Sequence, residues 1–289
     1  MKPILIHCHI YHVQFWEELK KCIQNVEQYP IDLYVTMVEN HEDIQKDIVK
    51  NFPHAKVQIV EGRGFDVGPF IHVLNQVNLD DYSYIIKLHT KRDLPKDDLR
   101  FRRMHSDIWR NNLLLPFRDR GILHQYIENL EKCPMVGMSA CYKLFIKSNS
   151  DKVFDKISRK VFKSFLHKKK LKNISFQYVG GTMFIVRASL FKYIQNMGLS
   201  LQDFSFSNRN EKGDLAHIFE RFFGYVVYIQ GHTIRDVIVS EKTEKAFQRR
   251  EKIKLILYQL FRFFFQKKVT KSGKLIIKIC EIPVYRGSV

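Results

Sequence analysis

Short apolar runs and amphipathic segments alternate along the first 90 residues of the chain. The runs have the length and composition of strands, and they predict strands at 3–11, 31–38, 55–60 and 84–88. Apolar residues at helical spacing fill the intervals, and they predict helices at 15–26, 42–51 and 70–77. Strands that alternate with helices are typical of an α/β fold with a Rossmann-type, mixed and mostly parallel sheet flanked by helices.

The pattern is less regular after residue 92. We expect loop and helix near a functional site over 93–120, a charged stretch that carries Trp109. Further along, the apolar positions predict helices at 122–132, 151–172 and 214–224, and strands at 135–138, 176–186 and 225–230. No internal repeat or low-complexity segment interrupts the chain, and we predict one α/β domain over residues 1–240.

Residues 241–289 differ in character from the rest of the chain. Apolar side chains follow one helical stripe from Ile253 to Phe264, and basic side chains surround the stripe, which predicts a basic, amphipathic, helical C-terminal extension. A basic helix with bulky aromatic residues fits an anionic membrane surface. A helix packed on the first domain would show the same stripe, and both interpretations stay open here.

The positive charge is concentrated in two segments. The net charge is +18; residues 151–172 carry nine Lys and Arg against two Asp, and residues 241–289 carry thirteen against four Glu. Basic stretches of this kind are typical of proteins that bind nucleic acid or an anionic membrane. No recognisable nucleic-acid motif occurs, so a basic nucleic-acid-binding protein is kept only as an alternative.

The composition is that of a globular protein in a reducing compartment. Apolar residues make up 45% of the chain. The five cysteines are scattered and never form a C-x-x-C pair, which argues against a disulfide framework or a cysteine zinc site. The N-terminal residues lack the apolar core of a signal peptide, and no run of about 18 uncharged apolar residues occurs. We therefore expect a cytoplasmic protein.

A glycine-rich turn between a strand and a helix is the first candidate for a functional site. Residues 62–70 hold three glycines and a proline, and such a turn takes positive φ or lets another group approach closely. The order strand, turn, helix presents backbone N–H groups to an anion. The next strand ends in His89, Thr90 and two cations, and ligands of open α/β sheets bind beyond the carboxyl ends of strands. The two strand ends predict a site for a phosphate-bearing ligand.

Five short motifs follow one another along residues 3–235. They are ILIHCHIY (4–11), RGFDVGPF (63–70), KLHTK (87–91), GTMF (181–184) and DLAHIFER (214–221). In this order they resemble the rhamnan synthesis protein F family of bacterial glycosyltransferases. The resemblance implies transfer of a sugar, with rhamnose as one candidate, from a nucleotide-diphosphate donor to a lipid-linked or growing cell-surface polysaccharide, on a fold similar to the GT-A glycosyltransferases. Phe65 and Arg92 depart from the family pattern and leave donor and acceptor undefined.

Glycosyl transfer needs stabilisation of the charge on the departing diphosphate. GT-A enzymes often supply it with a D-x-D pair and a divalent ion, and this sequence has no D-x-D. His89, Lys91 and Arg92 stand at the end of the fourth strand instead. We predict that these groups stabilise the diphosphate without a cofactor, although a divalent metal stays open. The alternative is that they are solvated charges on a loop.

The reaction also needs a base for the acceptor hydroxyl. The resemblance implies that Asp214, at the start of a helix, is this base. A single displacement assisted by one carboxylate inverts the anomeric centre. Asp214 could equally be a helix N-cap or a first-turn acid that the helix dipole favours.

Binding roles follow from the same resemblance and from the positions at strand ends. The residues predicted to bind the donor are His9, Tyr11, Glu39, Arg63, Gly64, Asp66, Lys87 and Thr90. The residues predicted to bind the acceptor or the sugar are Trp109, Gly181, Thr182, His217, Glu220 and Arg221. The glycines at 180–181 could equally form a bulge, and Asp66 could equally be structural.

The histidines of the first strand allow one further interpretation. His7, His9 and His12 have a spacing that invites a zinc site and hence a metal-dependent hydrolase. No acidic ligand lies close to them in the sequence, and we favour a contact between His9 and the nucleobase of the donor. A lipid-linked acceptor would place the protein at the inner face of the cell membrane, where residues 241–289 would bind the anionic surface.

Overall fold

The computed structural model describes most of the chain, namely residues 2–92, 106–148, 156–207, 214–247, 249–250, 253, 265–269, 274–279 and 282–288. The chain divides into two compact units, residues 1–238 and 239–289. The first unit is an α/β structure with a seven-stranded, mostly parallel mixed sheet, as the alternating pattern predicts. Among the described residues, no helix is both long and apolar enough to cross a bilayer.

The strands of the first unit lie close to their predicted positions as far as residue 139. In chain order they are β1 (Ile4–Ile10), β2 (Ile31–Met37), β3 (Lys56–Ile59), β4 (Tyr84–His89), β5 (Val136–Ser139), β6 (Phe145–Lys147), β7 (Gln177–Val179), β8 (Phe184–Arg187) and β9 (Thr233–Arg235). The large sheet has the order β3-β2-β1-β4-β8-β5-β9, and β8 is antiparallel to both of its neighbours. Strands β6 and β7 form a separate two-stranded antiparallel sheet, and α6 lies between them in the chain.

Helices cover the sheet and bury their apolar stripes against it. In chain order they are α1 (Trp16–Val26), α2 (Glu42–Asn51), α3 (Val67–Leu74), α4 (Ser106–Leu114), α5 (Arg120–Lys132), α6 (Lys156–Lys168), α7 (Ala188–Gln195) and α8 (Leu215–Ile229). An aromatic cluster joins several of these elements, because the Phe70 ring lies 6.4, 6.1 and 5.6 Å from the rings of Phe184, Phe191 and Phe223. Edge-to-face pairs at such distances stabilise a core beyond the area that they bury.

The direction of chain progression reverses at β1. The chain adds β2 and then β3 on one side of β1, and it returns to place β4 on the other side. Such a switch point opens a crevice at the carboxyl ends of the two strands, which is where ligands of open α/β sheets bind. The register pairs His7 with Lys87 and His9 with His89, so these four side chains share one face of the sheet.

Two predicted strands are wrong. The segment 176–186 forms β7 and β8, which belong to different sheets, and a turn separates them because Gly181 (φ 86°) and Thr182 (φ 54°) take left-handed backbone conformations. Residues 225–230 are not a strand, since α8 continues to Ile229. Gly224 suggested a helix end, but a Cβ there would lie 2.3 Å from the carbonyl oxygen of Gln177, so this glycine permits close packing inside the helix.

The second unit contains a three-stranded antiparallel sheet that the sequence did not predict. Its strands are β10 (Phe265–Val269), β11 (Lys274–Ile279) and β12 (Ile282–Ser288). The predicted helical stripe at 253–264 lies outside the described residues except for Ile253, which is helical. Residues 241–247 are also helical.

Candidate functional site

A layer of polar side chains lies buried under the switch point. We call His7, His9, Asp66, Lys87 and His89 the polar layer. Four of them come from β1 and β4, and each of these four is at most 2% exposed. Asp66 comes from the turn before α3, and its side chain is 14% exposed. Buried charges require partners, and the partners show how the site is built.

Lys87 and Asp66 form a buried ion pair that Thr182 completes. The Nζ atom of Lys87 donates to Oδ2 of Asp66, to the carbonyl oxygen of Thr182 at 3.2 Å and to its Oγ1 at 3.0 Å. The Thr182 hydroxyl donates to the same carboxylate oxygen at 2.5 Å. Three of the five sequence motifs therefore meet at one carboxylate, although they lie far apart along the chain.

The charges in the polar layer follow from burial and from these contacts. Burial alone would raise the pKa of Asp66, but the field of His89 in its protonated form and the fields of Lys87 and Lys91 outweigh burial and hold that pKa well below its ordinary value. Burial lowers the pKa of His89 well below its usual range. His89 is therefore neutral near pH 7, and Lys87 supplies the counter-charge to Asp66.

The histidines of β1 share one hydroxyl. The Oγ1 atom of Thr36 lies 2.9 Å from Nε2 of His7 and 3.0 Å from Nδ1 of His9. Burial lowers the pKa of His7 well below its usual value and that of His9 to about 4. In the described part of the chain, no group of three or more His, Cys, Asp or Glu side chains is arranged to hold a metal ion.

Unpaired nitrogen atoms remain in this layer. His7 Nδ1, His9 Nε2 and both ring nitrogens of His89 are buried without a hydrogen-bond partner, and His89 Nδ1 lies 3.5 Å from the Asp66 carboxylate. Buried polar atoms without partners are uncommon in native proteins and often mark functional sites. The polar layer can therefore accept or donate further hydrogen bonds.

A rim of more accessible residues lies at the strand ends above the polar layer; we define it as Tyr11, His12 and Lys91. Thr90 holds the rim together, because its Oγ1 accepts hydrogen bonds from the backbone N–H groups of Tyr11 and His12, both at 2.9 Å. The Tyr11 side chain is exposed, and Lys91 Nζ lies 5.5 Å from the centre of the Trp109 ring. Within the described residues, no carboxylate forms an ion pair with Lys91.

The glycine turn is held against residues 204–207. Gly64 has φ 65°, and its N–H donates to the carbonyl oxygen of Ser205 at 2.9 Å. Phe65 has φ 54°, and its N–H donates to Oγ of Ser207 at 2.9 Å. A non-glycine residue at positive φ is uncommon, and such strain clusters at functional sites. The turn takes positive φ as predicted, at Gly64 and also at Phe65.

Gly64→Ala is expected to destabilise the protein more than Gly198→Ala, which is a matched control. Both glycines have φ 65°, but a Cβ at Gly64 would lie 2.7 Å from the Phe204 ring, whereas nothing lies within 4 Å at Gly198. Positive φ costs both variants about 1–2 kcal/mol, and overpacking adds about 1–3 kcal/mol at Gly64 alone. Urea unfolding of both variants measures the difference, and equal losses would contradict the close contact.

Helix α8 presents its first turns to the same region. Asp214 is the N-cap residue, but its side chain makes no capping hydrogen bond. His217 lies one turn further on the same helix face, and its ring is 5.8 Å from the ring of Phe65, next to Asp66. In the described structure, the carboxylate of Asp214 has no hydrogen-bond or ion-pair partner. It is therefore available to a ligand at the start of α8, the helix whose His217 contacts the glycine turn.

Two further residues of α8 have structural partners. Glu220 accepts a hydrogen bond from the N–H of Gly181 at 3.0 Å and thereby joins α8 to the turn before β8. The guanidinium carbon of Arg221 lies 5.2 Å from the centre of the Tyr178 ring. The acceptor roles predicted for these residues stay predictions.

Other predicted site residues are exposed or already engaged. Glu39 is exposed, with His41 Nε2 at 3.8 Å. Arg63 donates to Glu61 at 2.6 Å and lies over the Phe206 ring at 3.8 Å. Trp109 is buried, and it lies so close to Gly181 that a Cβ there would be 3.0 Å from the indole. These contacts describe one state of the site, and the binding roles of these residues stay predictions.

Sequence reasoning missed Thr36 and Asp236. Thr36 could have been found from the register, because it lies opposite His9 on the same face of β2. Asp236 is fully buried, where it accepts from the Tyr126 hydroxyl at 2.7 Å and from the backbone N–H of Tyr142 at 3.0 Å, and burial raises its pKa. It follows β9, a strand that the sequence analysis did not predict because it placed a strand at 225–230 instead.

The fold and the position of the polar residues define an α/β protein with a Rossmann-like sheet whose polar side chains gather at its switch point. The family model of rhamnan synthesis protein F matches residues 1–232. The chain therefore belongs to this family, and the membership that the sequence motifs predicted is confirmed. Family membership connects the chain with polysaccharide (rhamnan) synthesis.

Two curated relatives share part of the chain. The uncharacterized protein WxcX of Xanthomonas campestris pv. campestris strain B100 is 25% identical over 201 residues, which is 68% of this chain and 27% of the relative. The protein of the same name from a second strain of this pathovar has the same identity and coverage. The chain thus spans about a quarter of the length of these relatives, 27% in each.

Proposed function

We propose that this protein is an inverting glycosyltransferase. In this proposal it transfers a sugar, with rhamnose as one candidate, from a nucleotide-diphosphate donor to a lipid-linked or growing polysaccharide. The observation that carries the proposal is that four of the sequence motifs supply buried polar residues at the switch point between β1 and β4, while the fifth, on α8, contacts the glycine turn through His217. Family membership in rhamnan synthesis supports a role in building polysaccharide.

The rim is the proposed position of the donor diphosphate. Lys91 has no carboxylate partner among the described residues, and its field reaches Asp66, Lys87 and His89. Burial and the fields of Arg92 and Lys91 lower the pKa of His12, in accord with two cations close to this residue. A dianionic leaving group placed there would be stabilised by charges that are already in position.

The buried members of the polar layer take a supporting role in this proposal. Lys87 is fully buried and paired with Asp66, so it holds the glycine turn against β4 while Lys91 faces the diphosphate. His89 is neutral at pH 7, and it can donate one N–H bond to a ligand oxygen but contributes no full positive charge. In this proposal Lys91, with Arg92 beside it, supplies the charge that the sequence-based hypothesis assigned to His89, Lys91 and Arg92 together.

Asp214 is the proposed base. The acceptor oxygen forms a bond to the anomeric carbon while the bond from that carbon to the phosphate oxygen breaks. The hydroxyl proton passes to the Asp214 carboxylate, and the bonding electron pair leaves with the nucleoside diphosphate. The unpaired carboxylate and its place at the start of α8, whose His217 contacts the glycine turn, support this role.

Calorimetric binding of nucleoside diphosphates to the whole chain tests the donor site. Binding of one or more of UDP, GDP and dTDP is expected, and it should persist in EDTA. Lys91→Gln should weaken that binding by about tenfold, because a hydrogen bond to a charged group contributes about 1.5 kcal/mol. If no nucleotide binds, or if binding requires added Mg²⁺ or Mn²⁺, the metal-free donor site is excluded.

Asp214→Asn is expected to lower turnover by about 10²–10⁴-fold, which is the usual contribution of a general base. The melting temperature should hardly change, because the side chain does not cap α8. Asp43→Asn, at the start of α2, is the matched control, because Asp43 is also an acid in the first residues of a helix. Release of nucleoside diphosphate in the presence of acceptor measures the rate, and full turnover of the Asp214 variant would remove it from the base role.

A further inference from the structure

One helix of the first unit carries an unbalanced positive surface. We call the exposed side chains on and directly after α6 the basic face: Lys160, Lys163, Lys168, Lys169, Lys170 and Lys172. The sequence from 156 to 202 contains no acidic residue. A helix of this length extends about 20 Å, so the six charges lie close together.

The apolar side of α6 packs on α8, and this contact fixes the orientation of the helix. The Phe165 ring lies 5.4 Å from the ring of Phe222, and the Phe162 ring lies 6.1 Å from that of Tyr225. Both partners belong to α8, the helix that begins at the candidate site. Because the apolar stripe of α6 is buried against α8, its lysines must face solvent.

Several lysines elsewhere on the surface are paired with acids. Lys46, Lys132 and Lys245 each have a glutamate at i−4, with N–O distances of 3.5, 2.6 and 3.0 Å. In the described parts of the chain, no carboxylate lies within ion-pair distance of any lysine of the basic face. Among the residues of the first unit that the structure describes, no ion pair therefore neutralises the positive charge of this face.

One of these lysines occupies a strained position. Lys170 has φ 54°, and the N–H of Leu171 bonds back to the carbonyl oxygen of Leu166 at 2.8 Å. This is the position after a helix end where glycine is usual, because a side chain there is sterically disfavoured. The chain keeps a cation where stability alone would favour glycine.

We propose that the basic face docks the protein on the surface of an anionic lipid bilayer. Clusters of four to eight basic residues on a helix are typical of such binding. Nucleic acid is disfavoured, because binding of single strands relies on exposed aromatic side chains for stacking and no exposed large apolar side chain of the described residues lies on α6. The same lack of apolar groups means that the face binds by charge and does not insert.

The inference is independent of the transferase proposal and of residues 241–289. Vesicle binding requires neither donor nor acceptor. The protein could therefore bind vesicles without binding a nucleoside diphosphate, or bind a nucleoside diphosphate without binding vesicles. The basic face belongs to the first unit, whereas the earlier membrane hypothesis concerned the second. If both proposals hold, the surface that supplies a lipid-linked acceptor is one helix away from α8.

Co-sedimentation of the full chain with vesicles tests the proposal. Vesicles of phosphatidylcholine with 30% phosphatidylglycerol should bind the protein at 50 mM NaCl, vesicles of phosphatidylcholine alone should not, and 500 mM NaCl should release it. The triple variant Lys160→Gln, Lys163→Gln, Lys172→Gln should bind about a hundredfold more weakly, at about fivefold for each lysine. The matched triple Lys46→Gln, Lys50→Gln, Lys132→Gln should bind like the wild type.

Lys170→Gly separates binding from stability. It should bind vesicles about fivefold more weakly, and its melting temperature should stay the same or rise because the strained φ is relieved. Unchanged binding of the α6 triple would overturn the proposal and assign any binding to another surface. Tight, salt-sensitive binding of a 20-nucleotide RNA, without binding to the vesicles, would overturn it in favour of nucleic acid.

Discussion

Lys87→Met is expected to lower the free energy of unfolding by about 3–5 kcal/mol, because it leaves a buried carboxylate without its counter-charge. Lys87 is fully buried, and Asp66 is its ion-pair partner. Thr182 would still donate to the carboxylate, but a neutral hydroxyl does not balance the charge. Guanidinium unfolding at pH 7 measures the loss.

The double variant Asp66→Asn, Lys87→Met is the informative control. It removes both charges, so its loss should be smaller than the sum of the two single losses by about 0.5–3 kcal/mol. Lys56→Met is a matched control on the same face of the sheet, where Lys56 is exposed and donates to the Tyr34 hydroxyl at 2.6 Å. It should cost less than about 1 kcal/mol. Strict additivity of the two single variants would show that the ion pair does not couple them.

Mild acid is expected to destabilise the first unit strongly between pH 7 and pH 5. Burial lowers the pKa of His9 to about 4 and the pKa values of His7 and His89 well below their usual range. In the unfolded chain these histidines titrate near pH 6.5. The unfolded state therefore binds more protons below that pH, and stability is lost as the pH falls from about 6.5 towards the folded pKa. His9 alone should cost about 2 kcal/mol between pH 7 and pH 5.

Chemical unfolding at pH 7, 6 and 5 at constant ionic strength measures this dependence. His9→Asn should reduce the slope by about one proton, because it removes one of the three buried groups. His54→Asn, at an exposed position, is the control and should keep the wild-type slope. Carboxylates do not dominate this window, since Asp and Glu of the unfolded chain titrate near pH 4. A wild-type stability that is flat from pH 7 to pH 5 would contradict the neutral, buried histidines.

The periodicity of the sequence was sufficient to predict the first half of the sheet. Strands β1 to β4 and the helices between them follow from apolar spacing, and the glycine turn was correctly placed before α3. The convergence of the polar strand ends followed from the rule that parallel strands end at one edge. Each of these features depends on residues that are close together in the sequence, so the local pattern of apolar and polar residues is enough to predict it.

The burial of the polar layer could not be predicted in this way. Lys87 and His89 stand at a strand end, where exposure is the ordinary expectation, but helices cover both faces of a parallel sheet and bury the ends as well. The acid that pairs with Lys87 lies in a turn 21 residues earlier, and the threonine that contacts both lies 95 residues later. The residues next to Lys87 in the sequence indicate neither partner. The antiparallel insertion of β8 had no local signal either, because a short apolar run does not show the direction of its strand.

The contacts of Asp66 also have a consequence for how the chain folds. Its carboxylate joins a partner 21 residues away and another 116 residues away. Closing segments of that length has an entropic cost before any contact can offset it, so we expect this junction to form late on the path to the native state. Interactions that form after the rate-limiting barrier slow unfolding rather than speed folding. The contacts at Asp66 are therefore expected to lower the unfolding rate of the protein more than they change its folding rate.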